Sequence, residues 1–168
     1  MKQMKLCMVG SFAVGKTSLV KRYVQSIFSE KYHTTVGVKI DKKEVMAGGE
    51  AIRMMIWDLA GEDSFTHLRL TYMRGAAGYL LVADGTRAAT LDLALDLNRQ
   101  IEAALGPIPF VLVLNKEDLA DTWEIDPARV ERLEREGVRV FRSSAKDGQG
   151  VEAIFEHFAS LQPLVLAS

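Results

Sequence analysis

Gly10, Gly15, Lys16 and Thr17 stand at the spacing G-x-x-x-x-G-K-S/T within "GSFAVGKTS". A set of this kind can grip phosphate. Glycines let the backbone turn so that successive N–H groups point at phosphate oxygens. A helix starting just behind them adds the positive end of its dipole. Lys16 can reach β and γ phosphates, and the Thr17 hydroxyl suits a Mg²⁺. The loop from Phe12 and Ala13 through Val14, Gly15, Lys16 and Thr17 to Ser18 is the expected cradle. The competing account, a chance glycine turn between a strand and a helix, is disfavoured by the completeness of the pattern.

Two further stretches carry chemistry. Asp58 closes the apolar run "RMMIWD", with Gly61 three residues later. Ligands of open α/β sheets bind outside the carboxyl ends of the strands, so Asp58 is expected to face the same crevice as the loop. Its hard oxygens suit Mg²⁺, through water, and Gly61 would let a backbone N–H approach a terminal phosphate. Alone, D-x-x-G is an ordinary loop; beside a phosphate loop it gains weight. "LNKEDL" then supplies Asn115, Lys116 and Asp118 as N-K-x-D after the strand-like "FVLV". An ionised carboxylate only accepts hydrogen bonds. It therefore matches guanine, which presents two adjacent donors, and mismatches adenine, whose N1 is an acceptor. Buried polar matching of this sort rejects the wrong partner strongly. By itself the tetrapeptide reads equally well as a charged turn.

These groups require elements to place them. "KLCMV" (5–9), "RMMIWD" (53–58), "YLLVAD" (79–84) and "FVLVLN" (110–115) read as strands covered on both faces. "VGVKIDKKEV" (36–45) alternates, and Gly48-Gly49 joins it to the next run as a hairpin. "VRVFRSS" (138–144) is a short sixth strand. Helices are expected at "KTSLVKRYVQS", "LDLALDLNRQIEAAL", "PARVERLERE" and "GVEAIFEHFASLQ". In the second of these Leu91, Leu95, Leu97, Ile101 and Leu105 fall mostly on one apolar stripe. Alternating β and α elements with one hairpin predict a doubly wound α/β sheet with an antiparallel edge strand.

The 168 residues are expected to form one domain, 1–168, with no linker or repeat. A net charge of −1 gives no bulk attraction to nucleic acid or anionic lipid. The single cysteine, Cys7, lies in "LCMV" and is expected to be a buried, inert thiol; with no disulfide possible within the chain, a reducing cytoplasmic setting is expected. No run reaches the roughly 18 to 20 apolar residues of a membrane span. The ending "LQPLVLAS" has no C-a-a-X cysteine, so no intrinsic lipid anchor is expected in this chain.

Taken in order, these motifs resemble the Ras-like small GTPases, particularly the Rab and Rho branches. "YHTTVGVKI" (32–40), "YMRGAAGYLLVADGT" (72–86) and "SSAK" (143–146) extend the resemblance over essentially the whole chain. It implies a phosphate-loop NTPase G domain with a six-stranded mixed sheet and about five helices, binding GTP or GDP with Mg²⁺. It also implies roles. Phe28 would pack at the guanine edge. Thr35 would be a ligand to Mg²⁺ and the γ-phosphate. Ser144 and Ala145 would lie at the base, with the Ala145 N–H on the guanine carbonyl, and Lys116 and Lys146 would flank base and ribose. Residues 28–38 and 59–74 would be switch I and switch II, the surfaces for effector, exchange and GTPase-activating proteins. Trp57 with Tyr72 reads either as part of an effector surface or as core packing.

Two residues depart from the family. Glu62 occupies the position of a water-orienting glutamine; a glutamate accepts but does not donate when ionised, and it adds charge beside the phosphate. Retained but slow hydrolysis is expected, with Lys16, Thr35, Gly61 and Glu62 as the catalytic set. Phe12 is bulkier than the small residues usual there, so a weak response to an activator's arginine finger is expected, to be tested by Phe12→Gly. Packing against switch II is nearly as good an account of Phe12. Arg69 and Arg74 are weaker candidates for a cation supplied in cis. The leading reading is a GTP/GDP switch with GTPase activity. A nucleotide-bound scaffold with little turnover is the alternative, and an ATP-using kinase is disfavoured by N-K-x-D.

Overall fold

The computed structural model describes residues 2–11, 14–25, 38–59 and 70–161. Six strands form one sheet: β1 (Lys2–Gly10), β2 (Val38–Ala47), β3 (Glu50–Leu59), β4 (Gly78–Asp84), β5 (Phe110–Asn115) and β6 (Val140–Arg142). Their order is β2-β3-β1-β4-β5-β6, with β2 antiparallel to β3 and every other neighbour parallel. The edge strand is antiparallel because Gly48 and Gly49, at φ 59° and 80°, close a two-residue hairpin. The helices are α1 (Lys16–Gln25), α2 (Leu70–Met73), α3 (Ala88–Leu105), α4 (Pro127–Arg135) and α5 (Val151–Ser160), with a 3-10 segment at Glu117–Thr122.

Alternation along β1 divides the core. Met4, Leu6 and Met8 pack with Leu19 and Tyr23 of α1 and Phe155 and Phe158 of α5. Cys7 and Val9 face the opposite layer, with Tyr79, Leu81, Met73 and the apolar sides of α3 and α4. Tyr23 stacks on Phe155 at 3.9 Å between centroids. Burying an aromatic such as Phe155 stabilises by about 1.5–3 kcal/mol relative to leaving it in water. β4 is buried at every residue, as continuous apolar runs between two helical layers require. Helix α4 begins where Asp126 accepts the Ala128 N–H at 2.9 Å and Pro127 supplies a preset φ.

Three expectations are corrected. β3 is not covered on both faces: Ile52, Met54 and Ile56 are buried, while Arg53, Met55 and Trp57 are only half-buried. On that second face the described cover near β3 is the four-residue α2, which reaches Trp57 through Tyr72. The buried stripe of α3 runs through Thr90, Leu91, Ala94, Leu97 and Ile101, with Leu95 and Leu105 half-buried at its margin and still packed against the core. The sixth strand spans three residues rather than seven, since only Val140, Phe141 and Arg142 pair with β5. No helix among the described residues is long and apolar enough to cross a membrane.

Candidate functional site

The carboxyl ends of β1, β3 and β5, together with the segment after β6, open on one side of the sheet, as parallel strands in this order demand. Gly15 takes φ +102°, and a Cβ there would lie 2.2 Å from Asn115 Nδ2. Only glycine lets the loop turn this close to β5. Helix α1 starts at Lys16, so its first N–H groups face the crevice.

Lys16 is buried, and its ammonium donates to the carbonyls of Gly10 (3.0 Å) and Ser11 (3.3 Å). Burial pulls its pKa down to about 8, with the Asp58 charge opposing. An anion placed at this amine would favour its charged form and raise that pKa again. Thr17 Oγ1 donates to Asp58 Oδ2 at 2.5 Å. Asp58 is 1% exposed; burial raises its pKa, against the Thr17 hydrogen bond and the Lys16 charge. Two buried oxygens here, Ser11 Oγ and Asp58 Oδ1, have no hydrogen-bond partner among the described residues. A buried carboxylate oxygen left so beside a hydroxyl suits a hard cation. One carboxylate and one hydroxyl are a sparse donor set, of the kind that Mg²⁺ completes with water and substrate phosphate.

A second group of side chains converges from β5 and the loop after β6. Asn115 Nδ2 donates to the Val14 carbonyl at 2.9 Å, tying the end of β5 to the glycine loop, and its Oδ1 accepts from Ser143 Oγ at 3.1 Å. Lys116 has left-handed backbone, φ 72°, unusual for a residue with a side chain. Its carbonyl accepts from the Trp123 indole at 2.9 Å, and its ammonium lies 2.8 Å from Asp84 Oδ2. Ser144 Oγ donates to Asp118 Oδ1 at 2.9 Å and accepts the Asp147 N–H at 3.0 Å. Arg22 of α1 donates to the carbonyls of Lys146 (3.4 Å) and Asp147 (3.2 Å). Gly148, at φ +80°, leaves the space: a Cβ there would meet the Arg22 guanidinium at 2.7 Å.

Between these groups lies a cleft of about 310 Å³, open to solvent and lined by Gly15, Ser18, Asn115, Lys116, Asp118, Leu119, Ala145 and Lys146. Val14 and Ser144 adjoin it through their bonds to Asn115 and Asp118; Lys16 and Thr17 lie in the chain between its lining residues Gly15 and Ser18, and Asp58 accepts from Thr17. Phe12, Ala13, Phe28, Thr35, Gly61, Glu62 and Arg69 lie outside the described residues. The Arg74 carbonyl accepts from Lys5 Nζ at 2.8 Å. Lys5 precedes Gly10 by five residues, about 16 Å along a strand, and the Arg74 side chain is exposed. Trp57 and Tyr72 touch, with centroids 6.1 Å apart, and Lys5 Nζ lies 3.8 Å above the Trp57 ring. Both aromatics are half-buried and pack against the Cys7 side of the core, in part as the packing reading expects.

Sequence reasoning missed Ser143, Trp123 and Arg22 as supports of this cleft. Ser143 stands beside the quoted Ser144, but nothing in "SSAK" says which serine turns toward Asn115. Trp123 and Arg22 arrive from elements distant in sequence, and no local pattern marks them.

A model of the Ras family matches residues 5–162. The chain is 37% identical over 154 residues to GTP-binding protein yptV2 of Volvox carteri, covering 90% of this chain and 71% of that protein. It is 33% identical over 159 residues to Ras-related protein Rab-3C of Bos taurus, covering 94% and 70%. It is also 33% identical over 156 residues to Ras-related protein Rab-32 of Homo sapiens, covering 88% and 69%.

Proposed function

Because the chain belongs to the Ras family, within its Rab-like branch, we propose that the cleft between the glycine loop and the β5 and β6 ends is its guanine-nucleotide site. As a member of that family the chain binds GTP and GDP with Mg²⁺, hydrolyses GTP and acts as a switch read by regulators and effectors. Nothing in these relatives favours a scaffold without turnover. The residue assignments that follow are our reading. The observation that carries them is one cleft lined by Asn115, Lys116 and Asp118 and by Gly15 and Ser18, which bracket Lys16 and Thr17 in the chain, with Asp58 bonded to Thr17.

In this reading the amides of residues 12 to 18 and Lys16 hold the phosphates and stabilise the charge that develops as the terminal phosphate leaves. Thr17 and Asp58, with Thr35, would hold Mg²⁺, which neutralises phosphate charge when bound. Asp118 accepts from the two guanine donors while Ser144 fixes its orientation. The Ala145 N–H faces the guanine carbonyl, Phe28 packs at the base edge, and Lys116 and Lys146 flank the base. Thr35 and Gly61 sense the γ-phosphate, and its loss frees residues 28–38 and 59–74 to exchange partners. Glu62, which cannot donate when ionised, leaves hydrolysis slow but present. The chain acts as one G domain, 1–168, in the cytoplasm, with effectors, exchange factors and activators meeting those two segments.

Mass analysis of co-purifying nucleotide, followed by single-turnover conversion of bound GTP, tests the reading. Guanosine nucleotide in the purified protein and its conversion to GDP, lost in Lys16→Ala, is the expected result. Equal retention of adenosine and guanosine nucleotides with Mg²⁺ would overturn it.

A further inference from the structure

We propose that Asp84 is a positioning residue of the base site, acting on the nucleotide solely through Lys116. The inference rests on the assignment of Lys116 to the guanine end of the cleft. Asp84 ends β4, the strand between the glycine-loop strand and the N-K-x-D strand, and it is 0% exposed. Fully buried carboxylates persist when they are paired and hydrogen-bonded, and this one is both.

Its two oxygens are divided between tasks. Oδ1 accepts from the Thr86 N–H (2.9 Å) and hydroxyl (2.7 Å), which fix the plane of the carboxylate. Oδ2 faces Lys116 Nζ at 2.8 Å and Arg87 Nε at 3.0 Å. The backbone is fixed as well: the Thr90 hydroxyl accepts the Asp84 N–H at 2.8 Å, and the Gly85 N–H reaches the Asn115 carbonyl at 3.0 Å. Asp84 is therefore a rigid anion aimed at the lysine just past the end of the neighbouring strand.

That lysine needs holding at both ends. Left-handed backbone at a residue with a side chain stores roughly 1–3 kcal/mol and persists only where its surroundings impose it. At Lys116 the Trp123 indole and the Glu117 N–H to Ser143 carbonyl bond (2.9 Å) fix the main chain. Asp84 fixes the ammonium. With φ set by one contact and the tip by another, the four-carbon stem between them has one path along the cleft wall, where it borders the proposed base pocket. Lysine normally loses about 2 kcal/mol of rotamer freedom when ordered; the ion pair makes that ordering a property of the empty protein rather than of nucleotide binding.

The experiment is a double-mutant cycle read by release of fluorescent GDP, with thermal unfolding measured alongside. Asp84→Asn keeps the shape and an acceptor for Thr86 but removes the charge; Lys116→Met keeps much of the stem. Asp84→Asn is expected to speed release by about 10- to 100-fold, the worth of a charge-assisted hydrogen bond. Combined with Lys116→Met it is expected to add nothing beyond Lys116→Met alone. Should Asp84→Asn fail to fold, the double variant, which leaves no lysine without its anion, carries the comparison with Lys116→Met: equal release supports the proposal. Faster release by the double variant, or a lowered melting point with release unchanged in Asp84→Asn, overturns it. Asp118→Asn separates the two levels of inference. If it and Lys116→Met both leave guanine binding intact, the base-site assignment fails; if they impair it while Asp84→Asn does not, only the Asp84 role fails.

Discussion

Asn115 and Gly15 show how single residues hold this site together. The Asn115 amide reaches the Val14 carbonyl only because Gly15 has no side chain. Gly15→Ala would force a Cβ to within 2.2 Å of Asn115 Nδ2 at φ +102°, so the loop must move. We expect GDP affinity to fall by at least about 100-fold, on the scale of losing a buried hydrogen bond together with imposing left-handed strain, measurable by nucleotide release. Cys7 makes a contrasting prediction. Burial pushes its thiol from 9.0 up to about 12, about a thousandfold less thiolate at a given pH than an exposed cysteine has. A thiol reagent at pH 8 should leave the folded protein unlabelled and modify one cysteine per chain after unfolding; rapid native labelling would contradict the burial of this strand. Both features were legible in part. The glycine spacing and the apolar neighbours of Cys7 are local signals. The left-handed Lys116 was not legible, because no glycine or asparagine marks it and only tertiary bonds impose it.

At the scale of elements, three of the six strands, β1, β4 and β5, could be read from continuous apolar runs, since covering both faces removes any need for alternation. β3 misled for a physical reason: Met55 and Trp57 are apolar but only half-covered, so composition imitates burial. The four-residue α2 is too short to show a helical period. The grip of α1 on the loop after β6 was equally invisible, because Arg22 and Lys146 are 124 residues apart. That grip has a testable weight. Arg22 links the helix carrying Lys16 and Thr17 to the segment carrying Ala145 and Lys146 through two partly exposed hydrogen bonds. Arg22→Ala should speed GDP release by about 2- to 10-fold, in line with the modest net worth of such bonds, while the melting point with saturating GDP changes little. Release at the wild-type rate would show that the bonds of Ser143 and Ser144 hold the loop without Arg22.

For the molecule as a whole, the site lies where two core layers and one crevice meet, so occupancy and global stability are linked. Ligand at a hundredfold excess over Kd adds about 2.7 kcal/mol, worth about 5–10 °C in a domain of this size. GDP with Mg²⁺ should raise the melting temperature by that order, and EDTA should cancel much of the gain and speed release, because Asp58 Oδ1 then loses its complement. A melting temperature indifferent to EDTA would argue against Asp58 and Thr17 as the metal donors. The Gly48–Gly49 hairpin sits at the other extreme of the sheet. Glu50 and Asp58 are eight residues apart on one strand, about 26 Å, and a Cβ on Gly49 would meet nothing within 4 Å. A short reporter peptide spliced into that bend would ride far from the crevice, so the protein could be tagged there for imaging or capture with its chemistry left undisturbed.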